Sequence, residues 1–107
     1  MIKAYNKLVR DRIPQIIRGQ GKSCTVRTLD EAEYISMLEK KLQEELDEYI
    51  QSRSAEELAD LLEVMIAVAA ASGHDWQYIE QLRVEKRQSR GGFEDRIALL
   101  QVVEDSE

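Results

Sequence analysis

Cysteine, proline and histidine occur once each in 107 residues, and aromatic side chains make up only 6% of the chain. A lone Cys24 excludes an internal disulfide and lacks the second thiol that a zinc or redox motif would need. With no His or Cys cluster, a soft-metal site has no ligands to draw on. Long apolar runs are also missing. The longest, Val64 to Ala71, is far shorter than the roughly 20 residues that span a bilayer. The N-terminus does not show the charged, apolar and small-residue succession of a signal peptide, so a cytoplasmic protein without membrane contact is expected. Positive charge is in deficit as well. A formal net charge of −6 argues against a general electrostatic grip on nucleic acid, and no stable nucleic-acid binding is expected.

What is present suits a helix-rich globular protein: 43% hydrophobic and 34% charged residues, with little Gly or Pro. The length predicts a single domain over residues 1–107, small enough that oligomerisation would help it bury apolar surface. Charge is segregated along the chain. Acidic residues gather between Asp30 and Glu63, while Lys and Arg gather from Lys3 to Arg18 and from Arg83 to Arg96.

Punctuation marks predict the elements. Pro14 suits the first turn of a short helix that Gly19 and Gly21 would end. Asp30 followed by Glu33 resembles a capping box opening a helix to about Ser52, and Ser54 followed by Glu57 repeats it for a helix from Ala55 to about Ser72, stopped by Gly73. Asp75 would cap a third long helix from Trp76 to about Gln88. Segment 23–29, with β-branched Thr25, Val26 and Thr28, is expected to be a short strand, and the apolar run at 96–103 is either a strand that could pair with it or a helical end. The fold class is therefore mainly α, a helical bundle with short β segments at 23–29 and 96–103.

The central helices carry the chemistry. Advancing about 100° per residue from Glu45 places Leu38, Leu42, Leu46 and Tyr49 within roughly 20° to 100°, and Glu48 about 60° to the other side. Glu45 thus borders the apolar face. From Glu57, Val64 and Val68 fall within roughly 20°, with Asp60 about 60° away at the edge of the apolar arc. Each helix points two acids, spaced i and i+3, toward a packing seam. Ionised carboxylates near a core need compensation, and a hard divalent cation that takes oxygen ligands is the natural source. The competing reading is a solvated acidic face, in a region where Glu44, Asp47, Glu56 and Glu63 add further charge.

The string Glu44-Glu45-Leu46-Asp47-Glu48, followed by Glu57-Leu58-Ala59-Asp60, resembles the EExxE and ExxD signature of the MazG-like, all-α nucleoside triphosphate pyrophosphatase superfamily. Tyr5 to Pro14 and Lys86 to Phe93 are similar to the ends of its phosphoribosyl-ATP pyrophosphohydrolase-like members, so the similarity spans nearly the whole chain. The eight residues between Glu48 and Glu57 make a shorter spacer than is usual there, which demands a tight bend. The resemblance implies one MazG-like domain in which Glu45, Glu48, Glu57 and Asp60 hold Mg²⁺, with Mn²⁺ as a substitute, and in which Glu44 assists.

That activity would be hydrolysis of a nucleoside triphosphate to the monophosphate and pyrophosphate. It requires cations to neutralise developing charge, an aligned water, and donors on the phosphate tail. A water deprotonated with help from Glu44 or Glu48 would attack the α phosphorus. Lys86, Arg87 and Arg90 could bind the remaining phosphates, with Gly91 and Gly92 allowing close backbone approach, and Lys7 and Arg10 could contribute from the other end. Helix-end or surface counter-charge is the plainer role for these cations. His74 reads as a loop residue, and Trp76, Tyr78 and Phe93 as packing residues. The all-round apolar stretch Val64 to Ala71 predicts a homodimer or tetramer. Two alternatives remain open: a phosphoribosyl-ATP or modified-nucleotide hydrolase, and a non-enzymatic acidic helical module for dimerisation or partner binding, indifferent to Mg²⁺.

Overall fold

Short polar side chains at two positions decide where the long helices begin. The Asp30 carboxylate accepts a hydrogen bond from the Glu33 backbone N–H at 2.8 Å, and the Ser54 hydroxyl accepts one from the Glu57 N–H at 3.4 Å. Each satisfies one of the N–H groups that a helix start leaves without an internal partner. In the computed structural model, which describes residues 1–104, the resulting elements are α1 (Ile13–Gly19), α2 (Glu31–Ser52), α3 (Ala55–Ala71) and α4 (Trp76–Arg90). Pro14 lies in the first turn of α1, where its missing N–H costs nothing.

Helices α2 and α3 pack on each other as a hairpin, joined only by Arg53 and Ser54. So short a link is made by Arg53 in the left-handed region at φ 58°, with its N–H bonded to the Tyr49 carbonyl at 2.7 Å and its Nε to the Ile50 carbonyl at 2.9 Å. A second stop at Gly73, φ 77°, ends α3, and Gly there avoids the Cβ penalty of that conformation.

Buried and half-buried positions trace the seam. On α2 it runs through Leu38, Leu42, Glu45 and Tyr49, and on α3 through Glu57, Leu61, Val64, Val68 and Ala71, with Ala69 also buried. Alternating steps of three and four residues are those of helices crossing at a small angle, and the two-residue link makes the pair antiparallel. Burying Leu38 and Val64 contributes on the order of 2 kcal/mol each. Two seam positions that would ordinarily be apolar are glutamates.

The chain divides into two compact units, Met1–Trp76 and the residues from Gln77 onward. In the second, α4 is held by neighbouring side chains of its own turns, Glu80 with Arg83 and Gln81 with Glu85, and it buries no residue. Tyr78 and Phe93, expected as packing residues, are exposed, and Trp76 is half-buried.

The expected strands are absent among the described residues. Segments 23–29 and 96–103 are both irregular. A strand takes its hydrogen bonds from a neighbour, and neither segment has a ladder partner, so β-branching in 23–29 and apolarity in 96–103 have no sheet to join. The first segment instead leans on helices. The Cys24 carbonyl accepts from Arg18 at 3.5 Å, and Arg27 pairs with Glu33 of α2. No described helix is long and apolar enough to cross a membrane.

Candidate metal centre

Two helices, one bend and one seam bring acids together. Oxygen atoms of Glu45, Glu57 and Asp60 lie within 4.8 Å of one another. Glu45 sits in the α2 seam with 6% of its surface exposed, while Glu57 and Asp60 in the first turns of α3 are half-buried. The tight bend matters here. With only two linking residues, the start of α3 must lie against the end of α2.

The cluster is short of partners. Oε2 of Glu45 and Oε2 of Glu57 are buried with no hydrogen bond. Among groups inside proteins this is unusual, since buried polar atoms are almost always paired. Lys41 Nζ, one turn back on α2, stands 3.4 Å from Glu45 Oε1 and 3.9 Å from Glu44 Oε2. Asp60 Oδ1 accepts from Arg10 Nη2 at 2.8 Å. Burial pushes the Glu45 carboxyl above the usual carboxylate range and the adjacent Glu48 carboxylate pushes it further, against the opposing pull of Lys41. Without added positive charge, the charged form of Glu45 is therefore disfavoured relative to a free carboxylate.

A hard divalent cation fits this donor set: three carboxylates, two oxygens without partners, and no competing sulfur or imidazole. Of the four acids expected to share an ion, Glu48 is not one of the three. Expected to point toward the seam with Glu45, it is instead exposed, because its wheel angle, about 60° from Glu45 on the side opposite the apolar arc, leaves it outside the α2–α3 contact. Glu44 is half-buried against Lys41. Arg10 joins the cluster through Asp60, fifty residues away in sequence. Lys7 is exposed, and its ammonium lies 5.7 Å from the Tyr5 ring centre.

The other expected phosphate-binding residues belong to the second unit. Arg87 Nη2 pairs with Glu94 Oε1 at 2.6 Å, Lys86 and Arg90 are exposed, Gly91 has φ 84°, and Gly92 lies so close to the Arg87–Glu94 pair that a Cβ would strike it. His74 donates its backbone N–H to the Ala69 carbonyl at 2.8 Å, closing the turn after α3.

Sequence reasoning missed Lys41 as a member of the site. Its signal was available, since a Lys four residues before Glu45 on one helix face is a standard ion-pair spacing.

Fold and site together define a class: a mainly α protein whose central helical hairpin carries a candidate divalent-cation centre at its seam. Comparison with known proteins adds little to that. No protein-family model matches the chain, and no solved structure matches it. A curated relative, described as an uncharacterized protein of Mycolicibacterium smegmatis, is 50% identical over 42 residues. That match takes in 39% of this chain and 43% of the relative, so the chain covers less than half of the relative's length.

Proposed function

We propose that the protein is a Mg²⁺-dependent nucleotide pyrophosphohydrolase, cleaving a nucleoside triphosphate to its monophosphate and pyrophosphate. One observation carries the reading: two glutamates from different helices belong to the same carboxylate cluster, and each keeps a buried oxygen with no hydrogen-bond partner. A buried carboxylate oxygen left without a hydrogen bond is costly, and a cation at the cluster would offset that cost.

In this reading Glu45, Glu57 and Asp60 hold Mg²⁺, and Mn²⁺ can replace it. Bound there, the ion supplies Lewis-acid neutralisation of charge developing on the phosphates. The chain's own residues do the rest. Glu48, exposed beside Glu45, takes the proton from the attacking water, a role for which Glu44 is less free because Lys41 holds it. Arg10 offers N–H donors to phosphate oxygens, in the forked geometry that suits them.

The active form is proposed to be a homo-oligomer. Leu46 and Ile50 on α2, and Leu58, Leu62 and Met65 on α3, are between 39% and 51% exposed, at spacings of i, i+4 and i+7 that form stripes. A second copy covering them would complete a bundle. The same stripes favour the second reading, a helical module that binds a partner and no metal. A phosphoribosyl nucleotide remains the alternative substrate class.

The test is pyrophosphate release across a panel of canonical and modified nucleoside triphosphates with Mg²⁺, with Glu57→Gln and Asp60→Ala as controls. Metal-dependent release, lost in both variants, supports the enzyme. Absence of release, together with a melting temperature indifferent to millimolar Mg²⁺, would leave the binding module.

A further inference from the structure

The three acids of the cluster are not served by equal counter-charges. Lys41 lies on the same helix as Glu45 with its side chain 19% exposed, a fixed neighbour one turn away. Arg10 is different in every respect. It comes from the irregular segment before α1, its side chain is 59% exposed, and its bond to Asp60 Oδ1 joins positions fifty residues apart. That bond ties the N-terminal segment directly to α3 and to the candidate metal centre.

A guanidinium and a divalent cation cannot both use Asp60 comfortably. Sharing one small carboxylate would bring a +1 and a +2 charge close together, where they repel. The exposed Arg10–Asp60 pair contributes little stability of its own, so it is the interaction that yields. We propose, resting on the reading that the carboxylates hold a divalent cation, that Arg10 is an internal counter-cation competing for Asp60: ion uptake expels the guanidinium and releases the N-terminal segment. The expelled Arg10 keeps its five donors for an anion. Loading of the ion and release of the arginine from its carboxylate are thereby one event, which turns an ion-paired guanidinium into an uncompensated cation for an arriving anion.

Two measurements test this, neither of which reads turnover. Calorimetric titration with Mg²⁺ at about 0.15 M salt should give about fivefold tighter binding for Arg10→Gln than for the native chain, the scale of an exposed pair removed. Arg10→Lys, which keeps a cation, should remain near the native constant. Arg12→Gln, which removes the same charge two residues on without touching Asp60, should shift it by less than about twofold. Trypsin cleavage after Lys7 and Arg12 should be accelerated by Mg²⁺ in the native chain and be insensitive to Mg²⁺ in Arg10→Gln. Equal or weaker Mg²⁺ binding by Arg10→Gln would overturn the competition while leaving the metal centre intact. No Mg²⁺ binding by native chain, Arg10→Gln or Arg10→Lys would remove the metal centre itself, and the competition with it.

Discussion

Helices α2 and α3 open on the same pattern, a short polar N-cap followed three residues later by glutamate, and the two glutamates meet opposite fates. Both caps form, Asp30 to Glu33 N–H and Ser54 to Glu57 N–H. Beyond the backbone the likeness ends. Glu33 turns outward and takes a two-pronged bond from Arg27, at 2.7 and 3.2 Å. Glu57 turns into the seam and keeps a buried oxygen without a partner. Position explains the difference. The first turn of α3 follows directly on the bend and must pack against α2, whereas α2 is the longer helix and its first turn follows the irregular segment 22–30. A capping signature therefore reports where a helix starts and is silent about what its glutamate does next.

Exchanging the glutamates' chemistry is the strongest way to break the comparison. Glu57→Gln should lower Mg²⁺-dependent pyrophosphate release on the order of a hundredfold, as loss of one electrostatic group in a site does, while Glu33→Gln leaves the rate unchanged. Steady-state assays of both variants decide it, and equal losses would erase the distinction. Next in size is the seam itself. Glu45→Leu should stabilise the ion-free protein by on the order of 1–2 kcal/mol, because a buried acid only partly offset by Lys41 gives way to packing, and should abolish the rise in melting temperature with Mg²⁺. Urea unfolding in the presence of a chelator checks the first part and thermal scans the second.

The caps provide a finer contrast. Ser54→Ala and Asp30→Ala should each cost about 1 kcal/mol of stability, but only Ser54→Ala should weaken Mg²⁺ binding, since only its turn carries cluster residues. Calorimetry on both separates stability from affinity. The smallest effect is on pH dependence, where the two regions have opposite signs. Glu45 is raised by burial, so its contribution in the ion-free protein is fully present at low pH and fades as pH rises through its elevated value. Glu33 is lowered by its bond to Arg27, so its contribution is present above the ordinary carboxylate range and fades as pH falls. Melting temperatures from about pH 3 to about pH 7 should flatten on the alkaline side in Glu45→Gln and on the acid side in Glu33→Gln.

Local features were legible in the sequence, and long-range ones were not. Asp30, Ser54, Gly73 and Pro14 act within a turn of themselves, so the long helices began and ended within a residue or two of where those residues placed them. Helical periodicity put Glu45 and Glu57 at the seam, because packing between adjacent helices follows the same period. Glu48, expected at the seam beside Glu45, is exposed, since a residue about 60° past Glu45, away from the apolar arc, lies beyond the reach of a single neighbouring helix. Arg10 with Asp60 spans fifty residues, and no local pattern encodes such a pair. The strands failed for a related reason: apolarity and β-branching describe a segment, while a sheet is a property of two.

The two-residue link at Arg53 also has mechanical meaning. Helices joined so closely behave as a hinge with stiff arms, and displacement on opening grows with distance from the hinge. Glu45 lies about 12 Å along α2 from the bend at Arg53, and the free end of that helix about 33 Å. A swing that moves the far end by about 3 Å would shift the carboxylates by only about 1 Å. The acids occupy the quietest part of the hairpin, so thermal breathing at its open end would leave their mutual spacing nearly constant.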